Sequence, residues 1–496
     1  MIVQSKNQNI TGKFKLVDGR EVFGSISICG EASKVDLFDD TDFSSSPEVY
    51  QYIIGELHDG RLVSLFQCIL ANRGMRHSDP STRKYSATIF PHYTTIGSAY
   101  VSELAPCISN ISFVMENAPA IFYDFDAFSS VIDTEPFVPL LLADKAKHRQ
   151  IRIGDHPEIV YFTGIFDIAV VETVLGEVKA HHRPTYSSGG PRGVSIDNEV
   201  MVSLKAPEPI TFQDSVNRLS ILLRFFELIL GLEQPLRNLE VETSEQPESF
   251  QPIEMYRSFA PSLSGDGDSE SSKSPHVSDI LVSIIQGDTT QYSTVLKNYL
   301  ASDSERHNGR GRLQNSLRNN HHYTIDRVIA AANNFDILPD SIYPTQQKLT
   351  QELMDAKKKA RELFKPLPDS IERSAMLGAI GRIGKLSLKH KIRHRATSTG
   401  LDKHFPRLIE VLDEAVNCRN HYVHGTSGKI DYSENFDALC FFTDALEFAF
   451  AASDLIDADW NLITWKNRGK GQSHPFSSFT HNYPNYLTLF DDWMRG

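Results

Sequence analysis

Eight residues, "CRNHYVHG" at 418–425, bring together an arginine, an asparagine, two histidines and a tyrosine. A guanidinium carries a permanent charge and a planar fork of donors that matches a phosphate, and an imidazole exchanges a proton near neutral pH. An arginine and a histidine held a few residues apart can therefore grip a phosphodiester and move a proton beside it. What matters is which of Arg419, Asn420, His421, Tyr422 and His424 share a face.

Pro406 suits the first turn of a helix and Gly425 the residue just past its end, so the pattern predicts a helix over 406–424. On that helix Leu408, Val411, Leu412, Ala415, Val416, Tyr422 and Val423 form one apolar stripe. Arg419 falls inside the stripe, about 20° from Leu408, where an unpaired guanidinium is costly to desolvate. It has to be paired, sit at an interface or line a cleft. Asn420 and His424, four residues apart, flank the stripe together, and His421 points away from it. A plain structural reading stays open at this point: Arg419 in an ion pair within a bundle, and His424 closing a helix near its dipole.

Charge is unevenly spread. The 496 residues carry a net −13, which by itself speaks against a nucleic-acid partner. Residues 301–395, however, hold 18 Lys/Arg against 10 Asp/Glu, residues 396–496 hold 8 against 14, and the first 300 carry −15. The densest stretch, "RSAMLGAIGRIGKLSLKHKIRHRATSTGL" (373–401), has seven Lys/Arg and no acid in 29 positions. It reads either as a solvated cationic face or, lacking acidic partners along its own helix, as a site for a polyanion.

Other constellations carry less. His390 and His394 have the spacing of a metal pair but no acidic or cysteine ligand close in sequence. His181–His182 and His321–His322 are adjacent pairs whose side chains diverge. "SSGGPRG" (187–193) lacks the lysine and Ser/Thr of a phosphate loop, and "GDGD" lacks the remaining ligands of an EF-hand. No metal and no cofactor is expected. Five scattered cysteines without a C-x-x-C pair argue against a zinc ribbon or a disulfide framework and fit a reducing cytoplasm. No apolar run approaches the roughly 18 residues of a membrane span, and the N-terminus does not read as a signal peptide.

The elements that must position these groups differ along the chain. Up to about 206 the texture is strand-like, with Asp18-Gly19 between "KFKLV" and "EVFGSISI" predicting a two-residue hairpin turn. From Thr211, "TFQDSVNRLSILLRFFELILG" reads as one capped helix ending at Gly231. Helical spacing then dominates from 279 to 460 and predicts a bundle of four to six helices without a fixed-period repeat. The chain is thus expected to be multidomain α+β. A β-rich, sandwich-like or barrel-like domain (1–206) precedes a helical connector (207–300) with a flexible loop at 262–278. An all-α bundle (301–470) and a tail (471–496) follow.

R-x4-H with a polar residue directly after the arginine, near a helix end in a bundle, resembles the signature of the HEPN superfamily. Together with "RVIAAANNFDILP" (327–339), "GRIGKLSLKHKIRHR" and "AVNCRNHYVHG", the second half resembles the C-terminal HEPN domain of ApeA-like anti-phage proteins. "GKFKLVDGREVFGSISICGEASKVDLFDD" resembles the β-rich domain that precedes HEPN in that family. The likeness spans most of the chain, less so 232–300. It implies a metal-independent endoribonuclease of abortive infection, a homodimer whose two HEPN motifs line one cleft, with RNA as substrate; tRNA is the commonest target of such domains. In that setting His424 is the general acid/base, Arg419 holds the scissile phosphate and Asn420 orients one of them. His421, reaching RNA or idle, and Tyr422 support, while Arg382, Lys385, Lys389, Lys391, Arg393 and Arg395 guide the RNA backbone. The β-rich domain then senses a phage-derived trigger. Two other readings are a non-catalytic HEPN domain that binds a nucleotide or a partner, and a toxin held by a separate antitoxin.

Overall fold

The computed structural model describes residues 8–79, 82–145, 153–154, 156–187, 193–244, 251–258, 275–285, 287–319, 322–344, 349–469 and 471–495. Most of the 262–278 loop, the centre of "SSGGPRG" and His321 lie outside the described residues. The chain divides into two compact units, Met1–Leu300 and Ala301–Gly496.

Twelve strands form the principal sheet of the first unit: β1 (Gln8–Lys15), β2 (Glu21–Ile28), β3 (Lys34–Asp39), β4 (Val49–Leu57), β5 (Leu62–Asp79), β6 (Thr82–Gly97), β7 (Ile108–Met115), β8 (Asp167–Thr173), β9 (Gly176–Tyr186), β10 (Ile196–Ile210), β11 (Leu236–Thr243) and β12 (Ile253–Arg257). Six of them, in the order β6-β3-β2-β1-β4-β5, close into an antiparallel barrel because β5 also pairs with β6. Closure removes the edges that these apolar strands would otherwise expose. Phe14, Val22, Ile26, Val35, Val63 and Ile89 are among the side chains that fill the interior. So tight a barrel needs backbones in close approach: a Cβ on Gly12 would stand 2.5 Å from the Glu56 carbonyl oxygen.

Strand β6 belongs to two structures. Its Tyr85–Ile89 stretch pairs with β3 in the barrel, and its Tyr93–Ile96 stretch pairs with β12, from which the sheet continues β11-β7-β10-β9-β8. Pro91, which has no N–H to offer a ladder, sits between the two stretches.

The hairpin turns differ from the two-residue form expected. In the β1–β2 loop, Gly19 N–H donates to Leu16 O at 2.9 Å and Leu16 N–H to Arg20 O at 2.9 Å, with only Gly19 at positive φ (85°). This is a three-residue loop closed by a glycine bulge. The Asp18 carboxylate selects it by accepting from Arg20 N–H (3.0 Å) and Arg20 Nε (2.6 Å). The β4–β5 loop repeats the arrangement with Asp59, Gly60 (φ 82°) and Arg61.

The helix after β10 forms as predicted. It spans Phe212–Leu230, with Thr211 Oγ1 accepting from Asp214 N–H and Gly231 at φ 77°. The chain then returns to the sheet as β11 and β12, so 206 is not a domain boundary: β10 runs through it and 236–257 supplies interior strands. Strand pairing over such separations leaves no local mark in sequence. The helix Thr290–Ala301 seats Tyr292 and Tyr299 against Phe225.

The second unit is all helical. Its long helices are Asp303–Arg318, Ile325–Asn333, Gln351–Phe364, Ile371–Arg382, Leu388–Ser398, Leu408–His424, Phe436–Asp457 and Pro475–Arg495. They outnumber the four to six expected because two periodic stretches are broken by caps. Thr324 accepts from Arg327 N–H, and Gly384 (φ 87°) precedes Ser387, which accepts from His390 N–H. Phe436–Asp457 is buried along nearly its whole length and packs against Ile325–Asn333, Leu388–Ser398, Leu408–His424 and Pro475–Arg495. The expected tail at 471–496 is therefore mostly a packed helix. Phe441 stacks on Phe479 and Tyr486, and Phe442 meets Phe490 edge-on. Among the described residues no helix is long and apolar enough to cross a membrane, and all five cysteines are free.

Candidate active site

The helix carrying the motif begins at Leu408, two residues later than expected. Pro406 stays outside it. Arg407 takes a left-handed conformation (φ 59°), held by ion pairs to Glu410 (3.0 Å) and Asp491 (2.7 Å). The C-terminus is as predicted: Gly425 (φ 65°) donates its N–H to His421 O at 2.8 Å. Leu408, Val411, Leu412, Ala415 and Val416 are buried, joined by Glu414 and Cys418, whereas Val423 is exposed. The stripe thus leaves the core over the last turn. Burial and the Glu414 charge push the Cys418 thiol up to about 12, which removes it as a nucleophile.

Arg419, Asn420 and His424 come together. Arg419 Nη1 donates to Asn420 Oδ1 at 3.0 Å and to His424 Nε2 at 3.2 Å. A guanidinium has no lone pair to offer, so His424 Nε2 is the acceptor and, in this contact, the imidazole is neutral with its proton on Nδ1. Arg419 Nη2 crosses to another helix and donates to Asn333 Oδ1 at 3.1 Å. Its Nε is buried without a hydrogen-bond partner among the described residues. Arg419 is half-buried and His424 exposed, so the guanidinium lies beneath an open imidazole.

The contrast with other arginines of the unit is informative. Arg310 meets Asp454 (2.7 Å), Arg327 meets Glu447 (2.8 Å), Arg393 meets Asp413 (2.5 Å) and Arg395 meets Asp457 (2.7 Å). Arg419 meets two carboxamides and an imidazole, and among the described residues no carboxylate lies within ion-pair distance of it. Its positive charge is oriented but not neutralised.

His421 is anchored beside this cluster. Its Nδ1 donates to Thr426 O at 2.9 Å, which leaves Nε2 with the lone pair in the neutral ring. The ring packs edge-on against Tyr422 and tilted against Tyr432. The Tyr422 hydroxyl donates to Tyr432 O (3.2 Å), and the Tyr432 hydroxyl donates to buried Glu414 (2.5 Å). Asn417 also donates to Glu414 (2.8 Å) and accepts from Lys389 Nζ (2.6 Å).

The basic segment departs from expectation. Arg395 is 3% exposed, bound to Asp457 and to Ser453 O (2.9 Å), and cannot guide a nucleic-acid backbone. Lys391 is taken up by Asp336 (3.2 Å) and lies over the Tyr343 ring, and Arg393 forms a bidentate pair with Asp413. The acidic partners missing from its own helix come from two other helices and from the turn after Ile325–Asn333. Arg382 and Lys385 are exposed, without a carboxylate partner among the described residues. His390 caps its helix with Ser387, and His394 Nε2 contacts Ile342 O (3.2 Å); no metal-ligating cluster occurs among the described residues.

Asn333 is the site residue that sequence reasoning missed. It ends the helix Ile325–Asn333, which Arg327–Glu447 pins to Phe436–Asp457. The only signal available was its place inside "RVIAAANNFDILP".

Residues 9–286 match the family described as ApeA N-terminal domain 1, and residues 329–462 match the family described as Apea-like HEPN. The second match contains Asn333, Arg419, Asn420 and His424. The first covers more than half of the chain and includes β11 and β12. No curated protein and no solved structure matches the chain.

Proposed function

The chain belongs to the ApeA family, and we propose that it is an anti-phage endoribonuclease whose HEPN domain cuts RNA without a metal ion. One observation carries this reading: Arg419 is held by neutral groups within hydrogen-bond reach of His424, an exposed imidazole.

RNA brings its own nucleophile. The 2′-hydroxyl loses a proton and attacks the adjacent phosphorus, the bond to the 5′-oxygen breaks, and that oxygen leaves with a proton. The products are a 2′,3′-cyclic phosphate and a 5′-hydroxyl. His424, neutral at Nε2, takes or returns a proton when the phosphate displaces its contact with Arg419. The Arg419 fork meets the phosphate oxygens, whose negative charge grows in the transition state. Asn420 keeps the guanidinium aimed. His421 supplies a second imidazole three residues away on the same helix.

RNA, tRNA included, approaches along Arg382 and Lys385. A homodimer pairs two such motifs around one strand, and the β-rich unit receives a phage-derived trigger that releases the activity in the cytoplasm.

The test is direct. Wild type and His424→Ala are incubated with total RNA in EDTA, with and without phage lysate. The wild type is expected to cut and the variant to be slower by ~10³-fold or more, as for loss of a general acid/base together with its orientation. RNA left intact by the wild type under every condition would mean that the site binds rather than cleaves.

A further inference from the structure

We propose that Asn333 is a positioning residue whose neutrality matters: it fixes the Arg419 guanidinium from a second helix without consuming its charge. The inference rests on the ribonuclease reading for its consequence, but on geometry for its premise.

Among the described residues three acceptors hold Arg419, and two of them lie on its own helix within five residues. Those two move with the helix end and cannot fix the fork relative to the rest of the bundle. Asn333, 86 residues away in sequence, is the cross-helix anchor, with Oδ1 3.1 Å from Nη2. Its own place is secured: Ala331 and Ala332 behind it are fully buried, Phe335 beyond it packs edge-on against Phe450, and Arg327 in the first turn is clamped by Glu447.

An aspartate would fit the same space. Its carboxylate would accept the same hydrogen bond and add a charge-assisted pair of the kind that Arg310, Arg327, Arg393 and Arg395 each make. For stability alone, aspartate is the stronger choice. A carboxylate at that distance would also cancel the field that a phosphate must feel, and would compete with the phosphate for the same fork. The carboxamide holds the arginine and leaves the charge for an anion. Stability is traded for function at one atom.

Asn333→Asp separates the two roles, because a merely structural residue would tolerate it. In the full-length protein the variant is expected to melt at a higher temperature than wild type, and to cleave total RNA with kcat/KM reduced ~10- to 100-fold, mainly through a higher KM. In the His424→Ala background, where cleavage does not interfere, it should bind a labelled single-stranded oligoribonucleotide at least ~10-fold more weakly. Ser427→Asp, on the exposed loop just past the same helix end, adds the same charge at a residue that is not among the hydrogen-bond partners of Arg419 and should weaken binding less than ~3-fold. Asn333→Ala should lose kcat, ~100-fold, with the melting temperature lowered.

Cleavage and binding by Asn333→Asp at wild-type levels would overturn the proposal, as would a loss no larger than that of Ser427→Asp. If the wild type cuts no RNA, the ribonuclease reading falls by itself. Binding and melting then still judge Asn333: weaker binding with a raised melting temperature upholds its role toward an anion, and unchanged values refute it.

Discussion

At the scale of single residues, the cluster around Arg419 and a second, half-buried group obey different electrostatics. Tyr323 donates its hydroxyl to both oxygens of Asp444, at 2.8 and 3.0 Å. Burial, and then the neighbouring Glu447 charge, push the Asp444 carboxyl up to about 7. The raised value means that the folded state binds this proton more tightly than the unfolded chain, whose carboxyl titrates near 3.8. The stabilisation is therefore complete below about pH 4 and is lost as pH rises through 7. Asp444→Asn, which still accepts from Tyr323, should flatten the decline between pH 5 and pH 8. It should be more stable than wild type at pH 8 by about 1–2 kcal/mol, allowing for solvent screening. Thermal melts of both proteins at the two pH values measure the difference. Residue-scale legibility follows chain distance. Arg419, Asn420 and His424 could be grouped because one helix sets their angles. Asn333 and the Asp444–Tyr323 pair could not, since their partners lie 86 and 121 residues away.

Among the elements, the helix Leu388–Ser398 shows how a cationic sequence becomes a structural part. Arg395 reaches Asp457 across the bundle, Arg393 reaches Asp413 on the motif helix, and Lys391 reaches Asp336 after the Asn333 helix. Its cations join three neighbours and leave the exposed charge to Arg382 and Lys385 before it. Arg395→Ala should destabilise the second unit by about 1–3 kcal/mol, because it removes a buried side chain and its bond to Ser453 O, while Asp457, itself exposed, keeps its pair with Arg306 (2.9 Å). Lys385→Ala should leave the melting temperature unchanged while weakening RNA binding about 2- to 3-fold at low salt, with a shallower salt dependence. Calorimetry and a salt titration of RNA binding read the two effects. The helices themselves were legible where caps are local, as at Thr211, Gly231 and Gly425. Pro475–Arg495 escaped notice because Pro484 reads as a breaker, and only the aromatic face of Phe436–Asp457 shows why the helix continues.

For the whole molecule, the units meet at 300/301 rather than at 206. A chain beginning at 301 keeps every helix of the second unit together with the Asn333–Arg419–His424 cluster, and is expected to fold and stay soluble. A chain beginning at 207 retains β11, β12 and the apolar helix Phe212–Leu230 without β6, β7 or β10, the strands they need, and should aggregate. Expression of both, followed by size-exclusion chromatography and circular dichroism, decides the point; a well-behaved 207–496 protein would contradict the assignment. The division into a β-rich and a helical half was legible from periodicity alone, whereas the closure of a barrel was not, since it depends on β5 meeting β6 on one side and β4 on the other. The double membership of β6 has a further consequence for inheritance. Recombination shuffles modules at crossover points where few pairings are cut, and here every crossover between β1 and β12 would sever either the barrel or the sheet. The barrel cannot be lent to another gene without the sheet. Lineages that diversify this half are thus confined to changing loops and surface residues on an indivisible frame.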